Sequence, residues 1–530
     1  MWCSDPQDRK GVENMQLVKK EIRTNNHKVS KLMQLTIDED YNVSDSRQDI
    51  DKIIISQGQA VIDATEPMVD RIQVKGHVAY KLLYSVAKAE GEMDAMEGSV
   101  PFEETIQVDD LLPSYDTTVS CDMEDLTISM IHSRKIAVKG LIQIKIEVTE
   151  QDVVEGADGI ENGENIQCMY KKLPYTRTVC DQKDVFRVRE AVSIPQNKPN
   201  IRRLIWHSVT VNEVETKPLD NKIGIHGELE VFLIYRAEEQ MPLQYLNLDI
   251  SFSGEVDCIG SMEGMTADIG IVLGETQVVV EPDADGEERI LNLEANLELE
   301  IRIYQEEEMQ LLGDMFSTTA CIDTETETFD YESLLTRNNA KTRIVERLKR
   351  KENQPGILQV CYVEGSVKVD DTKTTEDGLV VEGAVEVRIL YIAEDDARPM
   401  NALTGFLPFT YLVEAKDMSP DAIYRIRPTL EQISSIMLGN DEVEIKAVVN
   451  LSIIAFARKQ CKAITDMHVS EIDYEKMNQM AGIIGYMVQE EDTLWNIAKQ
   501  YYSSIDSIRK VNQLERDELT PGQKLIIVKG

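Results

Sequence analysis

Residues that usually announce metal or redox chemistry are sparse here. Six histidines and eight cysteines occur in 530 residues, and the cysteines (Cys3, Cys121, Cys168, Cys180, Cys258, Cys321, Cys361, Cys461) are scattered, with no C-x-x-C pair and no grouping with histidine. Zinc and dithiol motifs are therefore excluded, and no cofactor or metal is expected. Thiols spread this way suit a reducing compartment. No run of about eighteen apolar residues exists, so no membrane-spanning helix is predicted. The opening Met1–Gly11 is polar and charged and lacks the apolar region of a secretory signal, so a cytoplasmic location is expected. Basic side chains are few beside acidic ones, 56 against 95, for a formal charge of −39. A field of that sign repels phosphate backbones and anionic lipid, which argues against nucleic acid and bare membrane as direct partners. A protein with a basic face fits better, although such acidity also serves solubility. Hydrolase, metalloprotease and phosphate-loop motifs are missing. His77 and His226 recur beside a strand glycine, but the third copy carries Ala384 there, so no enzyme is expected.

Apolar residues at 42% and charged ones at 28% are ordinary for folded domains, and the length calls for several cores. Internal repetition organises them. Residues 72–84, 223–235 and 379–391 read IQVKGHVAYKLLY, IGIHGELEVFLIY and LVVEGAVEVRILY. In each, Gly76, Gly227 or Gly383 precedes Tyr84, Tyr235 or Tyr391 by the same spacing, and apolar residues hold alternate positions. Period two over a dozen residues means a long strand with one buried and one largely wet face. A second strand recurs downstream, IAVKGLIQIKI at 136–146, LNLEANLELEI at 291–301 and VEIKAVVNLSI at 443–453. Between them lies a Pro-apolar pair, Pro101-Phe102, Pro242-Leu243 or Pro408-Phe409, and a further strand-like piece stands upstream. The expected fold is mainly β, with three repeated antiparallel sandwich-like or barrel-like domains. Glycine inside a strand calls for a bend, a crossing or a close neighbour, or is simply tolerated.

The expected domains are 1–150, with an N-terminal helical segment, 168–325, 330–470 and 482–530. Two acidic stretches, 149–167 and 325–341, read as linkers, the first a mobile one with three glycines. Arg343–Asn353, RIVERLKRKEN, reads as a basic helical face, solvated or used for docking. Unpaired strand edges make self-association a further expectation.

The tail is different. Leu494, Ile497, Ala498 and Tyr501 share one helix face, with Asp492 placed to cap it. A short strand precedes at 486–489, a second helix follows with Ile505, Ile508 and Val511 inward, and 524–528, KLIIV, closes the module in the order βααβ. Val488-Gln489, Asp492-Thr493-Leu494, Ile497-Ala498, Asn512 and Leu519-Thr520-Pro521-Gly522-Gln523-Lys524-Leu525 resemble the LysM family. The resemblance implies a groove formed by Asp492, Thr493 and Leu494 facing Asn512, Gln513 and Leu514, which in that family commonly takes N-acetylglucosamine polymers. Here the usual glycine before the aspartate is Glu491, preceded by Glu490, so the rim is crowded and charged. Trp495, at the edge of the apolar face, either anchors a protein contact or covers the helix flank.

Three long β-repeats followed by one terminal LysM module are similar to the clostridial spore coat morphogenetic family of the SipL type. That resemblance implies a mother-cell cytosolic protein without catalysis. Its LysM module would bind the ATPase scaffold of the spore coat and help localise coat around the forespore. The competing expectation is a LysM protein of the cell wall that binds peptidoglycan or another N-acetylglucosamine polymer.

Overall fold

A computed structural model of the chain describes residues 15–161, 165–237, 241–416, 418–471 and 481–528. The first unit consists of β1 (Gln16–Asn42), β2 (Ile50–Met68), β3 (Arg71–Val86), β4 (Met93–Gln107), β5 (Asp116–His132) and β6 (Lys135–Glu161). Two antiparallel sheets, β2-β3-β4 and β1-β6-β5, bury their apolar phases against each other. The period-two residues Ile72, Val74, Val78 and Leu82 of β3 meet Ile136, Val138, Ile142 and Ile144 of β6 in that core. The second unit repeats the plan with β7 (Ile166–Ser193), β8 (Arg203–Leu219), β9 (Lys222–Arg236), β10 (Gln244–Asp257), β11 (Thr266–Pro282) and β12 (Glu288–Ser317). The third has β13 (Ala320–Lys349), β14 (Ile357–Thr375), β15 (Gly378–Ala393), β16 (Met400–Glu414), β17 (Ile423–Met437) and β18 (Glu442–Glu471).

The mid-strand glycines make room for an aromatic ring on the neighbouring strand. Gly76 pairs with Phe102, Gly227 with Phe252 and Gly383 with Phe409. A Cβ on these glycines would stand 2.5, 2.8 and 3.0 Å from the ring tip, and on Gly76 and Gly383 also 2.3 and 2.2 Å from a backbone oxygen. Close approach, rather than a bend or mere tolerance, is the reason for glycine. The third aromatic is Phe252, inside β10, so Leu243 is not the counterpart of Phe102 and Phe409. The recurring tyrosines are fully buried, and each hydroxyl donates to a carbonyl in the segment ahead of the meander: Tyr84 to Gln48, Tyr235 to Pro199 and Tyr391 to Pro355, at 3.2–3.4 Å. The bond stitches the entry of each three-stranded sheet to its central strand.

Three expectations fail, all for one reason. No helical segment opens the first unit within the described residues: Gln16–Asn42 is strand β1, and residues 1–14 lie outside them. The acidic stretches are not linkers, since 149–161 continues β6 and 325–341 lies inside β13. Arg343–Lys349 is the end of β13 rather than a helix, with Ile344 buried opposite Ala447 and its charges toward solvent. Each of these stretches finds a partner strand far away in the chain, β1 on β6, β7 on β12 and β13 on β18. Long-range pairing overrides a local composition that reads as turn or helix.

The six long strands outrun the sandwiches and share a further core. Ile22 of β1, Tyr175 of β7, Met309 and Leu311 of β12, Phe329 and Tyr331 of β13 and Cys461 and Ala463 of β18 pack together there. Nearby, Arg427 of β17 holds Asp268 (2.5 Å) and Glu300 (2.9 Å) of the second unit. Arg425 donates to Tyr304 Oη at 2.8 Å and lies 3.6 Å from Glu147 of the first. Burial alone would raise the Glu147 carboxyl, but Lys145, Arg425 and Arg302 overcome it and bring it down to about 2. In the same cluster burial pushes the Glu332 carboxyl up to about 7, against Arg425 and Arg458.

The central strands of the three meanders also converge. Leu83, Ile234 and Leu390, one step before the recurring tyrosines, pack with their cross-strand partners Ile55, Trp206 and Tyr362. The units thus form one body joined at equivalent positions.

Candidate partner-binding module

The C-terminal module has β19 (Ile483–Met487), α1 (Leu494–Gln500), α2 (Ile505–Asn512) and β20 (Lys524–Val528), with β19 and β20 antiparallel. Leu494, Ile497 and Ala498 of α1 and Ile508 of α2 close on Val488, Leu525 and Ile527, as the apolar spacing requires. Thr493 is the N-cap of α1, its hydroxyl accepting from Asn496 N at 3.1 Å, so Asp492 is not the cap. The Asp492 carboxylate instead accepts from Gln489 N (2.8 Å) and Tyr486 Oη (2.7 Å), which hold it below the usual carboxylate range. It ties the end of β19 to the start of α1. Ser504 caps α2, and Gln513 ends it in the left-handed conformation.

Glu491 stands at φ 71°, a conformation that glycine adopts freely and a residue with a Cβ does not. The familiar glycine at this position therefore answers to the backbone as well as to space at the rim. This chain keeps the turn and bears a carboxylate on it.

The predicted groove residues divide. Leu494 is core. Asn512 is consumed structurally: its Nδ2 donates to Ile508 O (2.8 Å) and Ile526 O (2.7 Å), and its Oδ1 accepts from Ile526 N (2.6 Å), pinning α2 to β20. Leu514 is half-buried against the core. Glu490, Glu491, Thr493 and Gln513 remain exposed, so the surface left around the rim is polar with two carboxylates.

Trp495 turns to the body of the protein. Its Nε1 donates to Asp314 Oδ2 at 2.8 Å, and Phe316 meets its ring edge-on at 5.0 Å. Lys499, one turn on, donates to both Asp314 oxygens at 2.7 and 2.9 Å. A register shift between Leu312 and Asp314 sets the carboxylate's place near the end of β12. Burial works against the Asp314 charge, but Lys499, Trp495 and Met315 N together hold its carboxyl below the usual range. Phe316 is buried within the module's own apolar cluster, so the second unit completes the module's core. Sequence reasoning missed Asp314, Phe316 and Lys499, since no local pattern marks a strand end that receives a tryptophan from 181 residues away.

No helix of the described residues is long and apolar enough to cross a membrane. Comparison with known families finds the SipL, SPOCS domain at residues 49–131, 200–281 and 356–438, and the LysM domain at 486–528. The three SPOCS matches cover β2–β5, β8–β11 and β14–β17, leaving the long strands outside. Nothing among the curated proteins or the solved structures matches the chain. Three SPOCS domains followed by a C-terminal LysM domain make this chain one of the SipL type, an architecture associated with the sporulation coat.

Proposed function

We propose that this protein is a non-enzymatic scaffold of spore coat assembly. It acts in the mother-cell cytoplasm at the forespore surface, with the LysM domain contacting the ATPase scaffold protein of the coat. The observation that carries this reading is the state of the LysM rim. Asn512, a groove residue in the sugar-binding reading, is spent on internal hydrogen bonds, while Glu490 and Glu491 line the open side. A neutral glycan gains little from that surface, whereas a basic protein face is attracted by it and by the overall charge of −39. The three SPOCS domains serve as the rigid mount, and the Trp495–Asp314 seat orients the module on them.

The test is co-purification of the ATPase from sporulating cells with the full chain and with a chain lacking 482–530. Recruitment is expected to be lost on deletion. Glu490→Lys with Glu491→Lys should weaken it about tenfold or more and flatten its salt dependence. A truncated chain that still recruits the ATPase places the contact on the β-units. Sedimentation of the isolated LysM segment with peptidoglycan or chitin would favour the wall-binding alternative.

A further inference from the structure

The convergence of the three meanders leaves a cavity of about 460 Å³, walled by residues of all three units. That volume falls in the range of small-ligand sites. Its wall is polar where an apolar junction would pack better. Gln57, Ser208 and Glu364 hold equivalent places on β2, β8 and β14, and they bond to one another: Gln57 Nε2 donates to Glu364 (2.8 and 2.6 Å) and to Ser208 Oγ (3.0 Å), and Ser208 Oγ donates to Glu364 Oε2 (3.1 Å). Their cross-strand partners are Lys81, Phe232 and Arg388. Phe232 is fully buried and stacks on Tyr362 at 4.3 Å, so this place in the fold accepts an aromatic ring. Packing therefore does not require the two cations.

Among the cations at the wall, Lys81 alone has no carboxylate of the described residues within ion-pair distance; burial lowers its pKa, and Glu364 and Glu97, the latter its cross-strand partner on β4, act on it only from beyond that distance. Arg388 is engaged by Glu386 at 3.0 Å and stands 3.9 Å from Glu364, and Lys368 is engaged by Glu386 at 3.0 Å. Lys81 donates only to the neutral His207 carbonyl, at 2.8 Å, with the Trp206 ring 5.0 Å away, and no carboxylate reaches ion-pair distance among the described residues. A partly buried ammonium whose nearest carboxylates stand beyond ion-pair distance keeps donors free for a further acceptor. Burial, with Lys81 beside it, pushes the His207 imidazole down to about 4, so it adds no second cation near neutral pH. Also lining the cavity are Glu97 and Glu275, both exposed and without an ion-pair partner among the described residues.

We propose that this cavity binds a small zwitterion, its carboxylate at Lys81 and its ammonium toward Glu97 and Glu275. A single uncommitted cation suits a monoanion, and a dianionic phosphate would meet the wall's carboxylates as net repulsion. An opposite charge at the other end turns those two glutamates from repulsive to attractive. Because the wall draws on all three units, the site exists only in the assembled body.

The test is calorimetric titration of the full chain with ω-amino acids of increasing length, from glycine to 6-aminohexanoate, beside butanoate and butylamine. One member of the series is expected to bind saturably, with each singly charged probe about tenfold weaker or worse. Lys81→Met should abolish that binding. Glu97→Gln with Glu275→Gln changes only exposed groups, should weaken the zwitterion about tenfold, and should leave butanoate no weaker, since it removes only repulsion from that probe; it decides the matter if the Lys81 variant does not fold. No saturable binding across the series, butylamine binding as tightly as the zwitterion, or zwitterion affinity untouched by the double glutamine change each overturns the proposal.

Discussion

The three-unit body and the LysM module are built from opposite kinds of contact. In the module, caps, helices and the closing strand interact within 43 matched residues. In the body, each long strand pairs with another far along the chain, from Lys349 with Glu442 at one end of β13 to Ala320 with Glu471 at the other. Local order is written in neighbouring residues and can be read there. Long-range order reveals itself only through alternation, and alternation is easily masked by acids and glycines. The body should consequently be the more cooperative part, sensitive to any change at its close approaches, and the module the more tolerant.

The sharpest challenge to this contrast is a methyl group in the body. Gly383→Ala places a Cβ 2.2 Å from Lys368 O and 3.0 Å from the Phe409 ring. We expect a loss of about 3 kcal/mol, the upper end of overpacking costs, seen as a lower denaturation midpoint for the whole body in urea. A change confined to the third unit would show that the units are not one cooperative body.

Acidity should separate the regions next. The Glu147 carboxyl, depressed to about 2, contributes stability that is present above the ordinary glutamate range and is lost as pH falls toward 2. Glu332, raised to about 7, works in the other direction: the folded state holds its proton more tightly, so stability falls as pH rises from about 4.5 through 7. Body stability should therefore peak in mild acid, with each arm on the order of 2 kcal/mol, and the profile should flatten at the alkaline side in Glu332→Gln. Thermal unfolding across pH checks both arms.

The seat between the regions comes third. Asp314→Ala removes the acceptor shared by Trp495 and Lys499 and should weaken docking by about 1 to 2 kcal/mol. With fluorotryptophan incorporated, the Trp495 ¹⁹F resonance should move toward its solvent-exposed position, and an unmoved resonance would leave Phe316 as the sole anchor. The smallest effect is expected inside the module, where Glu491→Gly relieves a left-handed residue and should stabilise the LysM fold by about 1 kcal/mol. Hydrogen exchange in α1 and β20 measures it.

Legibility followed the same divide. The module's order and most of its apolar face were readable because most of its contacts are between sequence neighbours; Val511, expected inward, is exposed instead, and the misassigned cap was off by a single residue, Thr493 for Asp492. The repeat strands were readable where alternation was clean, as in β3, β9 and β15. Arg343–Lys349 misled because Ile344 and Leu348 fit a helical spacing as well as an extended one, and only β18 at its side selects the strand. The motif named the rim residues but not what each is committed to: nothing adjacent to Asn512 announces Ile526, and nothing adjacent to Trp495 announces Asp314.

Alternating apolar residues, repeated glycine–tyrosine spacing and a compact terminal motif were enough to establish three β-domains and a LysM domain, because strand and helix period are properties of adjacent residues. Which charges face one another at the junction of the units, why one lysine there has no carboxylate at ion-pair distance, and where the module rests were decided only in three dimensions. Gln57, Ser208 and Glu364 lie more than a hundred residues apart and share no motif. Packing three similar bodies against one another brings equivalent positions together, and the differences among those positions then become chemistry.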